Sequence, residues 1–133
     1  MATTTATITL SSADLTNDTL ALTQTTNLNK AGTVTGLDQT TGVGRITRGS
    51  TADYTLFDSA NYSDAKAHKV YLKNTSSTAT EYITLKVNTQ EIGRLYAGDW
   101  AFMPWNGGPT ANIIVNNSVA TNMTLEYALI YEA

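Results

Sequence analysis

The sequence predicts an all-β fold: an antiparallel β-sandwich or jelly-roll of about nine or ten short strands with little helix. Three observations carry this. Apolar residues recur with period two and nowhere sustain the period of a helix. Threonine, which favours strands, and asparagine, which favours turns, are abundant. Turn signals separate the apolar stretches at a spacing of roughly ten residues. Long helices that could cover a parallel sheet are missing from the pattern, which argues against an α/β fold.

The elements follow in order. Ala6, Ile8 and Leu10 alternate with threonines, and Leu20 and Leu22 alternate with Thr19, Ala21 and Thr23. These two strands flank a turn over Ser11 to Asp18. Asn27 to Val34 reads as a continuing strand with Gly32 and Gly36 as bends, and Thr40 to Gly44 as a loop. Arg45 to Arg48 and Ala52 to Phe57 are short strands. Asp58 to Ala67 holds one or two helical turns within a long crossing loop. The plainest hairpin is expected next. His68 to Asn74 puts Val70 and Leu72 on one face, Glu81 to Asn88 puts Ile83, Leu85 and Val87 on one face, and Thr75 to Thr80 joins them. Ile92 to Tyr96 and Trp100 to Trp105 flank Ala97-Gly98-Asp99. Asn106-Gly107-Gly108-Pro109 is a turn. Ile113 to Asn116 is short, and Met123 to Tyr131 closes the chain with Leu125, Tyr127, Leu129 and Tyr131 on one face.

At 133 residues, the chain is expected to form a single sandwich domain over 1–133, burying roughly two-thirds of its unfolded surface. Residues 1–51 are poorer in large apolar side chains. They are expected to form an arm or a sheet, folded within the subunit or shared with a neighbouring one.

Composition excludes several chemistries. There is no cysteine, so disulfides, thiolate catalysis and Cys-based zinc are out. His68 is the only histidine and reads as a solvated strand-end side chain. Eleven carboxylates are scattered, and no local pair lies in an apolar setting that would serve a glycosidase. Asp58 to Asp64 lacks the alternating ligands of a calcium loop. Gly42-Val43-Gly44 lacks the surroundings of a phosphate loop. The triplets Asn17-Asp18-Thr19 and Asn74-Thr75-Ser76 are expected by chance in so Asn- and Thr-rich a chain. The reading is therefore of a protein that is no enzyme and uses no cofactor and no metal.

The net charge is −3 and only 14% of residues are charged, against about 25% in ordinary domains. Lys66, Lys69 and Lys73 form the densest basic cluster, too sparse to predict nucleic-acid binding. Met1 to Thr5 has no signal-peptide character, and no apolar run approaches the roughly 20 residues of a membrane span. The expectation is a protein made in soluble form, with no membrane partner. A hydroxyl-rich surface of low charge suits contacts with other protein, since little charge must be desolvated. The aromatic segment Tyr96, Trp100, Phe102 and Trp105 supplies the candidate interface residues. Trp100 and Phe102 share one strand face, and Trp105 is expected at a rim before the Gly-Gly-Pro turn. Such residues can also be core, anchor a protein interface, or form a platform for sugars.

The run Ala67-His68-Lys69-Val70-Tyr71-Leu72-Lys73-Asn74, followed by Glu81-Tyr82-Ile83-Thr84-Leu85 and by Gly93-Arg94-Leu95-Tyr96-Ala97-Gly98-Asp99-Trp100-Ala101-Phe102-Met103-Pro104-Trp105, resembles small virion structural proteins of tailed phages, above all those that decorate capsids. The resemblance implies a sandwich or jelly-roll that cements the assembled shell from outside, with the major capsid protein and copies of itself, as a homotrimer, for partners. It places the protein on the capsid exterior after synthesis in the host cytoplasm. The alternative it leaves open is a tail, neck or fibre component that attaches to host carbohydrate. A stand-alone carbohydrate-binding module is a third reading.

Overall fold

A computed structural model describes residues 2–133. Its strands are β1 (Thr5–Ser12), β2 (Leu20–Asn27), β3 (Gln39–Thr40), β4 (Gly44–Arg48), β5 (Tyr54–Phe57), β6 (His68–Asn74), β7 (Tyr82–Val87), β8 (Gln90–Tyr96), β9 (Trp100–Trp105), β10 (Ile113–Asn117) and β11 (Met123–Tyr131), with one 3₁₀ turn at Ser59–Asn61. The fold is an antiparallel β-sandwich. One sheet runs β5-β10-β7-β8, and the other runs β3-β11-β6-β9 with β4 also on β11.

Alternation along each strand builds the core. On β6 the even residues His68, Val70, Leu72 and Asn74 are buried, while Lys69, Tyr71 and Lys73 are only partly covered. Val70 and Leu72 meet Ile83, Leu85, Leu95, Ile113, Val115, Met123, Leu125 and Leu129, with Phe57 and Trp105 completing the cluster between the sheets. Burial of this kind is worth roughly 25 cal/mol per Å² of apolar surface, and it is what fixes each strand's face.

The expected hairpin between β6 and β7 does not form. β6 pairs with β11 and β9, whereas β7 pairs with β10 and β8. The Thr75–Thr80 link instead crosses from sheet to sheet. The cause lies in Asn74, whose side chain is fully buried. Its Nδ2 donates to the Leu95 carbonyl at 2.9 Å, its Oδ1 accepts from Ser76 N at 3.0 Å, and Thr75 N bonds the Thr124 carbonyl at 3.1 Å. These bonds turn the chain away from β6 and satisfy polar groups that would otherwise be buried at a cost. The hairpin within the sandwich is β7–β8. It turns at Asn88, with φ 52°, a conformation asparagine tolerates better than most residues.

The long 58–67 crossing holds a capped 3₁₀ turn at Ser59–Asn61 and a second turn in which Lys66 N bonds the Ser63 carbonyl at 3.3 Å. Asp58 accepts from Ala60 N at 3.0 Å, and buried Ser59 Oγ donates to Asn112 Oδ1 at 2.8 Å. Gly107 lies so close that a Cβ there would stand 2.8 Å from Tyr62 Cβ. The Gly-Gly turn is therefore a docking point for that crossing as well as a reversal.

Residues 28–37 make a tight loop in place of the expected continuing strand. Leu28 and Leu37 are buried, and Lys30 N bonds the Thr35 carbonyl at 2.8 Å. This loop is the root of a projecting arm. β1 and β2 form a separate two-stranded sheet, in register from Thr5↔Asn27 to Ser12↔Leu20, that pairs with neither sandwich sheet. Residues 39–48 belong instead to the sandwich, through β3 and β4 on β11.

A candidate contact site between the arm and the outer sheet face

The arm is amphipathic by simple alternation. Ala6, Ile8 and Leu10 share a face with Leu20, Leu22, Gln24 and Thr26, which stand opposite them or next to them in the ladder. The other face carries Thr5, Thr7, Thr9, Ser11, Ala21, Thr23, Thr25 and Asn27. Ile8, Leu10, Leu20 and Leu22 remain 37–45% exposed. On the threonine face, Thr7 and Thr25 hydroxyls bond each other at 2.8 Å.

Across from the base of this arm stands the outer face of β6 and β9. The ladder sets Tyr71 beside Phe102 and Lys73 beside Trp100. Trp100 is 51% exposed and Phe102 37%. Together with Ala6, Thr7, Ile8, Gln24, Thr25 and Thr26, these four residues line an open slot of about 810 Å³. Its walls are mostly apolar.

Charge is arranged at the edges of the slot. Tyr71 donates from its hydroxyl to Glu126 at 3.0 Å, and Arg45 pairs with the same carboxylate at 2.8 Å. The bonds from Arg45 and Tyr71 hold Glu126 below the usual carboxylate range, and burial, aided by Glu126, pushes the Tyr71 phenol up. Lys69 and Lys73, on the same outer face of β6, make no ion pair among the described residues.

The four candidate aromatics are thus separated. Trp100 and Phe102 stand together on the slot wall. Tyr96 projects from β8 in the opposite sheet, its ring tilted 55° to that of Tyr82 with centroids 5.3 Å apart. Trp105 is not at a rim. It is 7% exposed in the core, and its Nε1 donates to the Ala111 carbonyl at 2.7 Å. The reason is parity, since Trp105 lies an odd number of residues from Trp100 and so points inward. The slot residues that sequence reasoning left out are Tyr71, Ile8 and Gln24. The signal for the arm was available: residues 2–29 carry only Asp14 and Asp18 as charges.

His68 also differs from expectation. It is 2% exposed rather than solvated, ringed by Tyr62, Trp105 and Tyr131 with centroids 5.5–6.2 Å away, and the Tyr62–Trp105 pair stands at 5.2 Å. Burial pushes its pKa down, and its Nδ1 has no hydrogen-bond partner among the described residues. An adjoining cavity of about 390 Å³ includes Lys66 and Glu132. Glu132 is committed to structure: its Oε2 accepts from Ala31 N at 3.0 Å and Ala67 N at 3.2 Å. These bonds hold it below the usual carboxylate range. No group of three or more His, Asp or Glu side chains is placed to hold a metal among the described residues. No helix there is long and apolar enough to cross a membrane.

Compared with known proteins, the chain matches no family model, no curated protein and no solved structure.

Proposed function

We propose that this chain is a non-enzymatic structural protein of a tailed-phage virion, attached to the outside of the capsid and cementing the shell through protein contacts. The observation that carries this reading is an arm whose two strands are uncharged and whose apolar face leaves Ile8, Leu10, Leu20 and Leu22 exposed. Free sheet edges are normally blunted by charge, and β1 and β2 contain no charged residue. A two-stranded hairpin is marginal by itself, so such an arm gains most of its order from a partner. The family resemblance supports the same reading, because Ala67 to Trp105 spans β6 to β9 and includes the aromatic slot wall. A cement protein binds the assembled shell and stabilises it by mass action, which asks for broad contacts and no reactive site. The partners are the major capsid protein and further copies of the chain.

Cryo-electron microscopy of the particle tests the proposal. Density for the chain over capsid subunits, and earlier heat rupture of particles carrying Ile8→Asp, are expected. Density in the tail, or none, overturns it. Exposed Trp100 beside Tyr71 gives the carbohydrate-attachment reading its one concrete footing. Glycan binding abolished by Trp100→Ala would move the assignment there.

A further inference from the structure

We infer that the slot is the seat of a second copy's arm, and that two chains clasp each other by exchanging arms reciprocally. This rests on the reading of arm and slot as contact surfaces and names the partner.

The layers decide the arrangement. In one chain four residues of the apolar arm face, Ala6, Ile8, Gln24 and Thr26, line the slot opposite the Trp100 and Phe102 wall, with Thr7 and Thr25 of the other face also on its lining. Let the partner's arm enter this slot antiparallel to the resident arm. The order becomes wall, partner arm, own arm, partner wall, and it is unchanged by a twofold axis lying between the arms. Each arm then turns its apolar face to the other, so that Ile8, Leu10, Leu20 and Leu22 of both copies meet. Each turns its threonine face to the other chain's Trp100 and Phe102. The Thr7 and Thr25 hydroxyls already bond each other, so the threonine face can meet the rings without leaving those two unpaired.

Charge fits the same register. The arm's only charges, Asp14 and Asp18, lie in the tip between β1 and β2. An antiparallel partner arm carries its tip over the resident arm's base, where Lys73 lines the slot and Lys69 follows on the same strand face. Neither lysine makes an ion pair among the described residues, although Lys73 faces Glu126 across the ladder, a carboxylate already held by Arg45 and Tyr71. Full intercalation also excludes the threefold ring that the resemblance implies. In a ring each arm would have to face its own slot's occupant, another chain's wall and another chain's arm, three layers for two faces. A reciprocal pair is the closed arrangement that fills both faces of each arm.

The test is sedimentation equilibrium on the full chain. Wild type is expected as two copies at micromolar concentration. Ile8→Asp with Leu22→Asp is expected as one copy, with its circular dichroism and thermal transition showing a folded sandwich. Asp14→Lys with Asp18→Lys is expected to weaken pairing about tenfold or more, with Lys69→Asp and Lys73→Asp in the same chain restoring it. The chain has no cysteine, so Gln24→Cys, near the proposed axis, reports directly. It should form a disulfide-linked pair on mild oxidation, whereas Val34→Cys, 92% exposed outside the arm, should not. Single copies at roughly 100 µM, a three-copy species, or a pair indifferent to the arm substitutions overturns the inference. A single-copy chain that still binds the capsid overturns the clasp alone. A clasped pair absent from the particle overturns the virion reading alone.

Discussion

Leu85→Ala tests whether the sandwich core is assigned to the correct faces. Leu85 is 4% exposed on β7, an interior strand held between β10 and β8. Its ladder neighbours are Val115, also buried, and Gly93, which offers no side chain to fill a gap. Truncation removes about three carbons, and at roughly 0.8 kcal/mol per buried methylene the transfer loss alone is about 2.4 kcal/mol. A residual cavity adds to this, because both sheets are braced and cannot close fully, which gives a total of about 2–5 kcal/mol. Urea denaturation at fixed protein concentration is the assay, since pairing would otherwise make stability concentration-dependent. With a slope of roughly 1–3 kcal/mol per molar, the midpoint should fall by about 1 M or more. The matched control is Leu22→Ala on the arm, at 38% exposure. It should leave the sandwich midpoint almost unmoved in a background held monomeric by Ile8→Asp. A midpoint unchanged by Leu85→Ala would mean that the inward face of β7 is misassigned, and with it the register against β10.

Two further perturbations probe the interior of the fold and the root of the arm. His68, whose ordinary pKa is near 6.5, titrates lower in the folded chain. Between those two values only the unfolded chain binds the proton, so stability should be level above pH 6.5 and fall as pH drops below it. His68→Phe should remove that slope in thermal melts across the window, and an unchanged slope would place its origin elsewhere. Glu132 is depressed, so its contribution is present above the ordinary carboxylate value of 4.5 and lost as pH falls through its folded value. Acidification, or Glu132→Gln at neutral pH, should lower the hydrogen-exchange protection factors, which correct for the intrinsic pH dependence of exchange, at the Ala31 and Ala67 amides that it accepts from. Exchange unaltered at Ala31 would show that the arm root is fastened without it.

Faces were legible in this sequence and pairings were not. Alternation placed Val70 and Leu72 on the inward face of β6, and Ile83 and Leu85 on that of β7, because burial acts residue by residue with period two. Whether Thr75–Thr80 reverses within a sheet or crosses between sheets depends on Asn74 finding the Leu95 carbonyl and Thr75 finding that of Thr124. Those partners come from β8 and β11, and no local pattern announces them. His68 misled for the same reason. Its neighbours Lys66 and Lys69 are polar, while the rings that bury it, Tyr62, Trp105 and Tyr131, arrive from three other segments. Trp105 was within reach of the sequence, since counting from Trp100 sends it inward, but the turn that follows it suggested a rim. The arm shows the deeper limit. Period-two alternation in β1 and β2 says that one face is apolar, and it says nothing of what covers that face. The absence of charge along both strands carries that second message. An edge that must stay single in water needs charge to repel other strands, and an edge without it is built to be met. Spread over the whole chain, this local feature looks like a mildly low charge content. Mapped onto β1 and β2 and set against the lysines on the outer face of β6, it becomes a statement about a partner.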